Sequence, residues 1–132
     1  MACDVAAPIL LYVEDDLITQ SVVEDALQEA GFQVLTTSNG ADALDLLRVR
    51  NANFSGLITD INLGDGPDGW EVARIAREET GGMLVVYVSG ASGHEWSSEG
   101  VPDSLMIAKP FAPSQIVDAV SSLLVSADSG AS

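Results

Sequence analysis

Basic residues are scarce in this chain. It carries five, Arg48, Arg50, Arg74, Arg77 and Lys109, against 20 acids, for a net charge of −15. Neutralising a phosphate backbone takes clusters of Lys and Arg, so direct nucleic-acid binding is excluded, and anionic membrane surfaces are disfavoured on the same ground. Most of the acids, among them Asp4, Asp42, Asp45, Glu78, Glu79 and Asp128, read as a solvated, self-repelling surface. Cysteine is nearly absent: Cys3 has no partner in the chain and reads as an incidental free thiol. No apolar run is long enough to span a bilayer, and Met1 to Ala7 lacks the basic start of a secretory signal. The expected setting is the reducing cytoplasm, away from membranes. A hydrophobic fraction of 47% over 132 residues suffices for one packed core without disulfide or structural metal. One domain is expected, with an ordered core at about residues 8–125 and a frayed polar tail at 126–132.

Short apolar runs ending in reactive polar residues dominate what is present. Ile9-Leu10-Leu11-Tyr12-Val13 runs into Glu14-Asp15-Asp16, and Phe54 to Thr59 runs into Asp60. Met83 to Val88 ends in Ser89, and Leu105 to Ala108 ends in Lys109, the only lysine. A further strand is expected at Phe32 to Thr36. Helical spacing separates the runs: Leu17, Val22, Val23, Ala26, Leu27 and Ala30, stopped by Gly31; Ala41, Leu44, Leu47 and Val49; Val72, Ala73, Ile75 and Ala76; and, after Pro113, Ile116, Val120, Leu123 and Leu124. Gly90 to Ser104 has little periodicity, and the spacing allows only a short helix near His94 to Glu99. His94 reads as an exposed loop residue, and Trp70 and Trp96 as anchors or partial core. Alternating strands and helices predict an α/β (βα)5 sandwich with a parallel sheet and helices on both faces.

Ligands of such sheets bind at the carboxyl ends of the strands. The expected crevice therefore gathers Glu14, Asp15 and Asp60 with Ser89 and Lys109. Two carboxylates about 5 Å apart repel by roughly 3 kcal/mol at an effective dielectric near 20. Such a group keeps a proton or recruits a cation. With hard oxygen ligands and no Cys/His cluster, Mg²⁺ is the natural cation.

These residues, in this order and with Asp68-Gly69 following, resemble the receiver domain of response regulators in two-component signalling, over about Pro8 to Val125. The resemblance implies a flavodoxin-like, doubly wound sheet of order 2-1-3-4-5 and a signalling module, not a turnover enzyme. It implies acceptance of a phosphoryl group on Asp60 with Mg²⁺, with Lys109 and Ser89 contacting the phosphoryl oxygens. Asp15 and Asp60 would ligate the cation by side chain, Asn62 by backbone carbonyl and Glu14 through water. Lys109-Pro110 would be cis. The implied partners are a sensor histidine kinase or histidine phosphotransfer protein, and a downstream protein target.

Three features depart from that pattern. The turn Gly64 to Gly69 is one residue longer than usual, Met106 stands where a switch aromatic is customary, and the fourth helix is short or irregular. Tyr87-Val88-Ser89-Gly90-Ala91 resembles in part the stretch after strand four in stand-alone receivers of the FAT GUY type. In that reading, phosphorylation orders Gly90 to Ser104 instead of rotating a ring. Three other classes share parts of this pattern. A flavin or nucleotide module needs a Gly- or Ser/Thr-rich loop where this chain has acids, and a haloacid-dehalogenase-like phosphatase needs Asp-x-Asp after its first strand. A degenerate receiver, acting as an interaction module without phosphorylation, is the alternative that keeps the fold.

Overall fold

The computed structural model describes residues 8–50, 54–90 and 96–130. Cys3, Ala91 and His94 lie outside them, as does the side chain of Val49. Elements alternate as β1 (Ile9–Val13), α1 (Leu17–Glu29), β2 (Gln33–Thr37), α2 (Gly40–Arg50), β3 (Gly56–Asp60), α3 (Gly69–Glu79), β4 (Leu84–Ser89), α4 (Trp96–Glu99), β5 (Leu105–Ala108) and α5 (Pro113–Gly130). The strands form one parallel sheet in the order β2-β1-β3-β4-β5, the flavodoxin-like order that the resemblance implies.

β1 and β5 have the bounds that the apolar runs indicate, whereas β2, β3 and β4 begin and end later than those runs. The ladder accounts for the shift at the site. Asp60 pairs with Val88, and Ser89 pairs with Ala108, so both polar residues are the last members of their strands. α5 also differs from expectation: it continues through Gly130, past the point where the polar tail begins. Its tail residues are small or polar, and none before Gly130 breaks a helix strongly.

The sheet divides the core into two apolar layers. On one face Leu11, Val13, Leu57, Val85 and Tyr87 pack with Leu47 of α2 and with Trp70, Val72 and Ala76 of α3. On the other, Leu10, Tyr12, Ile58, Val86 and Val88 pack with Val23 and Leu27 of α1 and Ile116 and Val120 of α5. Strand alternation separates the two sets, because successive side chains point to opposite faces. The helix residues divide less neatly. Leu17 and Val22, expected to face inward, are 66% and 49% exposed, and Ala30 and Ala41 are exposed too. α1 is apolar on more than one side, and only the stripe through Val23 and Leu27 meets the sheet.

Caps fix the helices at both ends. Asp16 accepts from the Ile18 N–H at 3.1 Å, Asn39 from the Asp42 N–H at 2.8 Å and Asp68 from the Glu71 N–H at 3.0 Å. Gly31, at φ 101°, ends α1: its N–H donates to the Gln28 carbonyl, and the Phe32 N–H reaches the Leu27 carbonyl at 3.1 Å.

Trp96 and Trp70 are both anchors. The Trp96 indole donates to Ser104 Oγ at 2.9 Å, and that hydroxyl donates to the Val101 carbonyl at 2.6 Å. The Val101 N–H donates to the Tyr87 hydroxyl at 3.0 Å, while the Tyr87 ring lies 4.7 Å from that of Trp70, tilted by 57°. Met106 is opposite Tyr87 in the β4–β5 register and packs on the same layer. The segment from Trp96 to Ser104 is thus already tied to β4 in this structure.

Candidate functional site

Four strands end around one acidic crevice. Glu14 follows β1 and is fully buried, Asp15 beside it is exposed, and Asp60 closes β3 at 4% exposure. One carboxylate oxygen from each lies within 4.8 Å of the others. Lys109, directly after β5, reaches across with Nζ 2.7 Å from Asp60 Oδ2. Asp60 Oδ1 accepts from the Asn62 N–H at 3.3 Å, so both oxygens of this carboxylate are engaged. Ser89 is buried at the end of β4, and its carbonyl accepts from the Lys109 N–H at 2.9 Å, fixing the lysine's backbone to the neighbouring strand. The Lys109-Pro110 bond is cis.

The structure thus brings Glu14, Asp15, Asp60 and Lys109 into one cluster and sets Ser89 and the Asn62 backbone beside it. The donor set suits a hard cation, being carboxylate oxygens converging on one point, with no Cys or His among the described members. Close packing of backbone shapes the Asp60 end of the crevice. A Cβ on Gly69 would overlap the Asp60 carbonyl oxygen, so α3 can start against the end of β3 only with glycine there. The loop between them turns through Gly64 and Gly66, at φ 78° and 90°.

Charge follows from burial and partners. Desolvation raises the Glu14 pKa above its ordinary 4.5, and the Asp60 charge adds to this. The Asp16 N–H, the Lys109 charge and the Tyr12 hydroxyl oppose it without cancelling it. For Lys109, desolvation works against the charged form, but the hydrogen bond and charge of Asp60, with Glu14 and Asp15 behind, outweigh it and raise the pKa above 10.5. Asp16 stays outside the crevice as the α1 cap. Hydrogen bonds from Thr19 and the Ile18 N–H hold its pKa below the ordinary value.

Two residues at the site were not among those singled out from the sequence. The Tyr12 hydroxyl donates to Glu14 Oε1 at 3.2 Å within the core. Gln20 of α1 donates to the carbonyls of Glu14 and Thr37, at 3.1 and 3.2 Å, tying the helix to the ends of β1 and β2. Strand alternation carried the signal for Tyr12, which stands two residues before Glu14 and so on the same face. Gln20 had no such signal, because its role depends on how α1 packs.

Comparison with known proteins agrees with this geometry. Residues 10–121 match the model of the response regulator receiver domain. The response regulator receiver protein CpdR of Brucella abortus is 31% identical over 120 residues, covering 89% of this chain and 98% of CpdR. The probable transcriptional regulatory protein SilR of Salmonella typhimurium is 32% identical over 118 residues, 87% of this chain but only 50% of SilR. Among solved structures, a response regulator receiver protein from Sinorhizobium medicae superposes with a TM-score of 0.85 at 44% identity, over 89% of this chain and 94% of that one. TrrA of Thermotoga maritima, solved in complex with Mg²⁺ and BeF, superposes with a TM-score of 0.74 at 25% identity, over 88% of this chain and 98% of TrrA. The chain belongs to the response regulator receiver domain family.

Proposed function

We propose that this domain accepts a phosphoryl group on Asp60, with Mg²⁺ held in the acidic crevice, and passes the signal on through protein contacts. One observation carries the reading: the single lysine lies 2.7 Å from the acid that closes the central strand, opposite two further carboxylates. Asp15 and Asp60 would hold the cation by side chain, Asn62 by its carbonyl and Glu14 through water. Bound there, Mg²⁺ would neutralise phosphoryl oxygens during transfer.

The chain's own groups supply the rest. Asp60 is the nucleophile: a carboxylate oxygen forms the new bond to phosphorus as the bond to the donor breaks, its electron pair leaving with the donor. Lys109, whose side chain is 35% exposed, can leave Asp60 for a phosphoryl oxygen and stabilise the negative charge there. Ser89 would donate its hydroxyl to another. The added charge, about −2, then pulls these two groups toward the acceptor and biases the loops after β3 and β4.

The donor would be a histidine kinase or phosphotransfer protein. A groove of about 510 Å³ has Asp16, Ile18, Thr19, Val22, Lys109 and Phe111 in its lining, so it is bounded by the lysine that bonds Asp60. Its apolar wall, with Ile18 78% exposed, fits a partner helix presenting a phosphohistidine. Among the described residues no helix is long and apolar enough to cross a membrane, and the acidic surface speaks against nucleic acid; the cytoplasm is the proposed location.

Incubation with acetyl phosphate and Mg²⁺, followed by mass mapping, tests the assignment. The wild-type protein is expected to gain one phosphoryl group on Asp60, and Asp60→Asn none. Full labelling of Asp60→Asn would overturn the assignment. A wild-type protein that stays unlabelled yet binds its partner would restore the degenerate receiver.

A further inference from the structure

Tyr12 is a buried ionisable group beside the acidic crevice that the proposed phosphoryl chemistry does not use. Its side chain is fully buried, in the apolar layer of Val23, Leu27, Ile58, Val88 and Ile116. A hydroxyl among aliphatic side chains is costly unless it is hydrogen-bonded, and phenylalanine would fill the same space without that cost. The hydroxyl donates to Glu14 Oε1 at 3.2 Å. The other Glu14 oxygen, Oε2, accepts from the Asp16 N–H at 3.2 Å. Each oxygen of this fully buried carboxylate therefore has its own donor, one rising from the core and one from the loop above. Asp60, by contrast, is held by Lys109 and by its own loop.

We infer that Tyr12 is a positioning residue of the cation pocket: from below the sheet end, its hydroxyl fixes the Glu14 carboxylate facing Asp15 and Asp60. Without it, mutual repulsion of the three acids turns Glu14 away until a cation arrives, and ordering Glu14 then subtracts from the binding free energy. Partners of this kind, one shell removed from the ion, commonly change affinity by about 10- to 100-fold. The inference rests on the cation reading given above and adds a residue to it.

Isothermal titration of Mg²⁺ at one neutral pH, into wild type, Tyr12→Phe, Glu14→Gln and the double variant, tests it. Tyr12→Phe is expected to weaken Mg²⁺ binding roughly tenfold, and to add nothing in the Glu14→Gln background. An unchanged Kd in Tyr12→Phe overturns the inference and leaves the cation site standing. An equal loss in both backgrounds also overturns it, by showing that Tyr12 acts through packing. A wild-type protein that takes up no Mg²⁺ removes the cation reading itself, and this inference with it. Should Tyr12→Phe fail to fold, the ring Cζ resonance of Tyr12 in otherwise intact protein serves instead. It is expected to shift on adding Mg²⁺ and in Glu14→Gln, and a resonance indifferent to both overturns the inference.

Discussion

Glu14 is the residue at which this protein sets its resting stability against its site. The carboxylate is fully buried and its pKa lies above the ordinary 4.5. A group whose pKa is raised on folding favours the folded state while it stays protonated, and that advantage is lost as pH climbs through the folded-state value. At neutral pH without cation, Glu14 therefore weakens the fold relative to acid pH. Glu14→Gln is expected to raise the melting temperature of chelator-treated protein near neutral pH, with the gain fading as pH falls to 4.5 and below. Calorimetric scans across that range check this, and a gain independent of pH would refute it. The acids and Lys109 were readable from the sequence because each closes an apolar run. The Tyr12–Glu14 bond was only half readable: alternation sets the two residues on one face, but an apolar run does not say that its hydroxyl will donate to that acid.

Among the elements, strands read more faithfully than helices. β1 and β5 have the bounds of their apolar runs, because each run stops where polarity returns. β2, β3 and β4 ran later, since ladder pairing, not hydrophobicity, decides the last residue of a strand. In α1, periodicity alone could not choose between two apolar sides, which is why Leu17 and Val22 lie outward. After β4 the spacing allows only a short helix near His94 to Glu99, and among the described residues there only Trp96–Glu99 is helical. Its link to β4 through Tyr87, Val101 and Ser104 could not be seen in spacing. The junction of β3 and α3 carries a sharp constraint. Gly69→Ala places a methyl against the Asp60 carbonyl and the Ile61 Cα. The expected result is a loss of about 1–3 kcal/mol in denaturant stability, together with slower labelling of Asp60. A variant as stable and as quickly labelled as wild type would contradict the packing described here.

At the scale of the whole molecule, the acidic excess acts on stability more than on fold. A net charge of −15 on a domain this size opposes compaction. The screening length falls from about 30 Å at 0.01 M salt to about 8 Å at 0.15 M. Chelator-treated protein is therefore expected to melt at a higher temperature as sodium chloride rises over that range, and a flat or falling trend would contradict this. The order β2-β1-β3-β4-β5 places every chemical group at one rim while the two apolar layers fill the rest. A Cβ at Gly64 or Gly66 would meet nothing within 4 Å, so the turn between β3 and α3 has open space around it. Under the function proposed above, such a corner would act as an adjustable timer: its length and stiffness would set how readily solvent reaches a phosphoryl group on Asp60, without rebuilding the scaffold underneath.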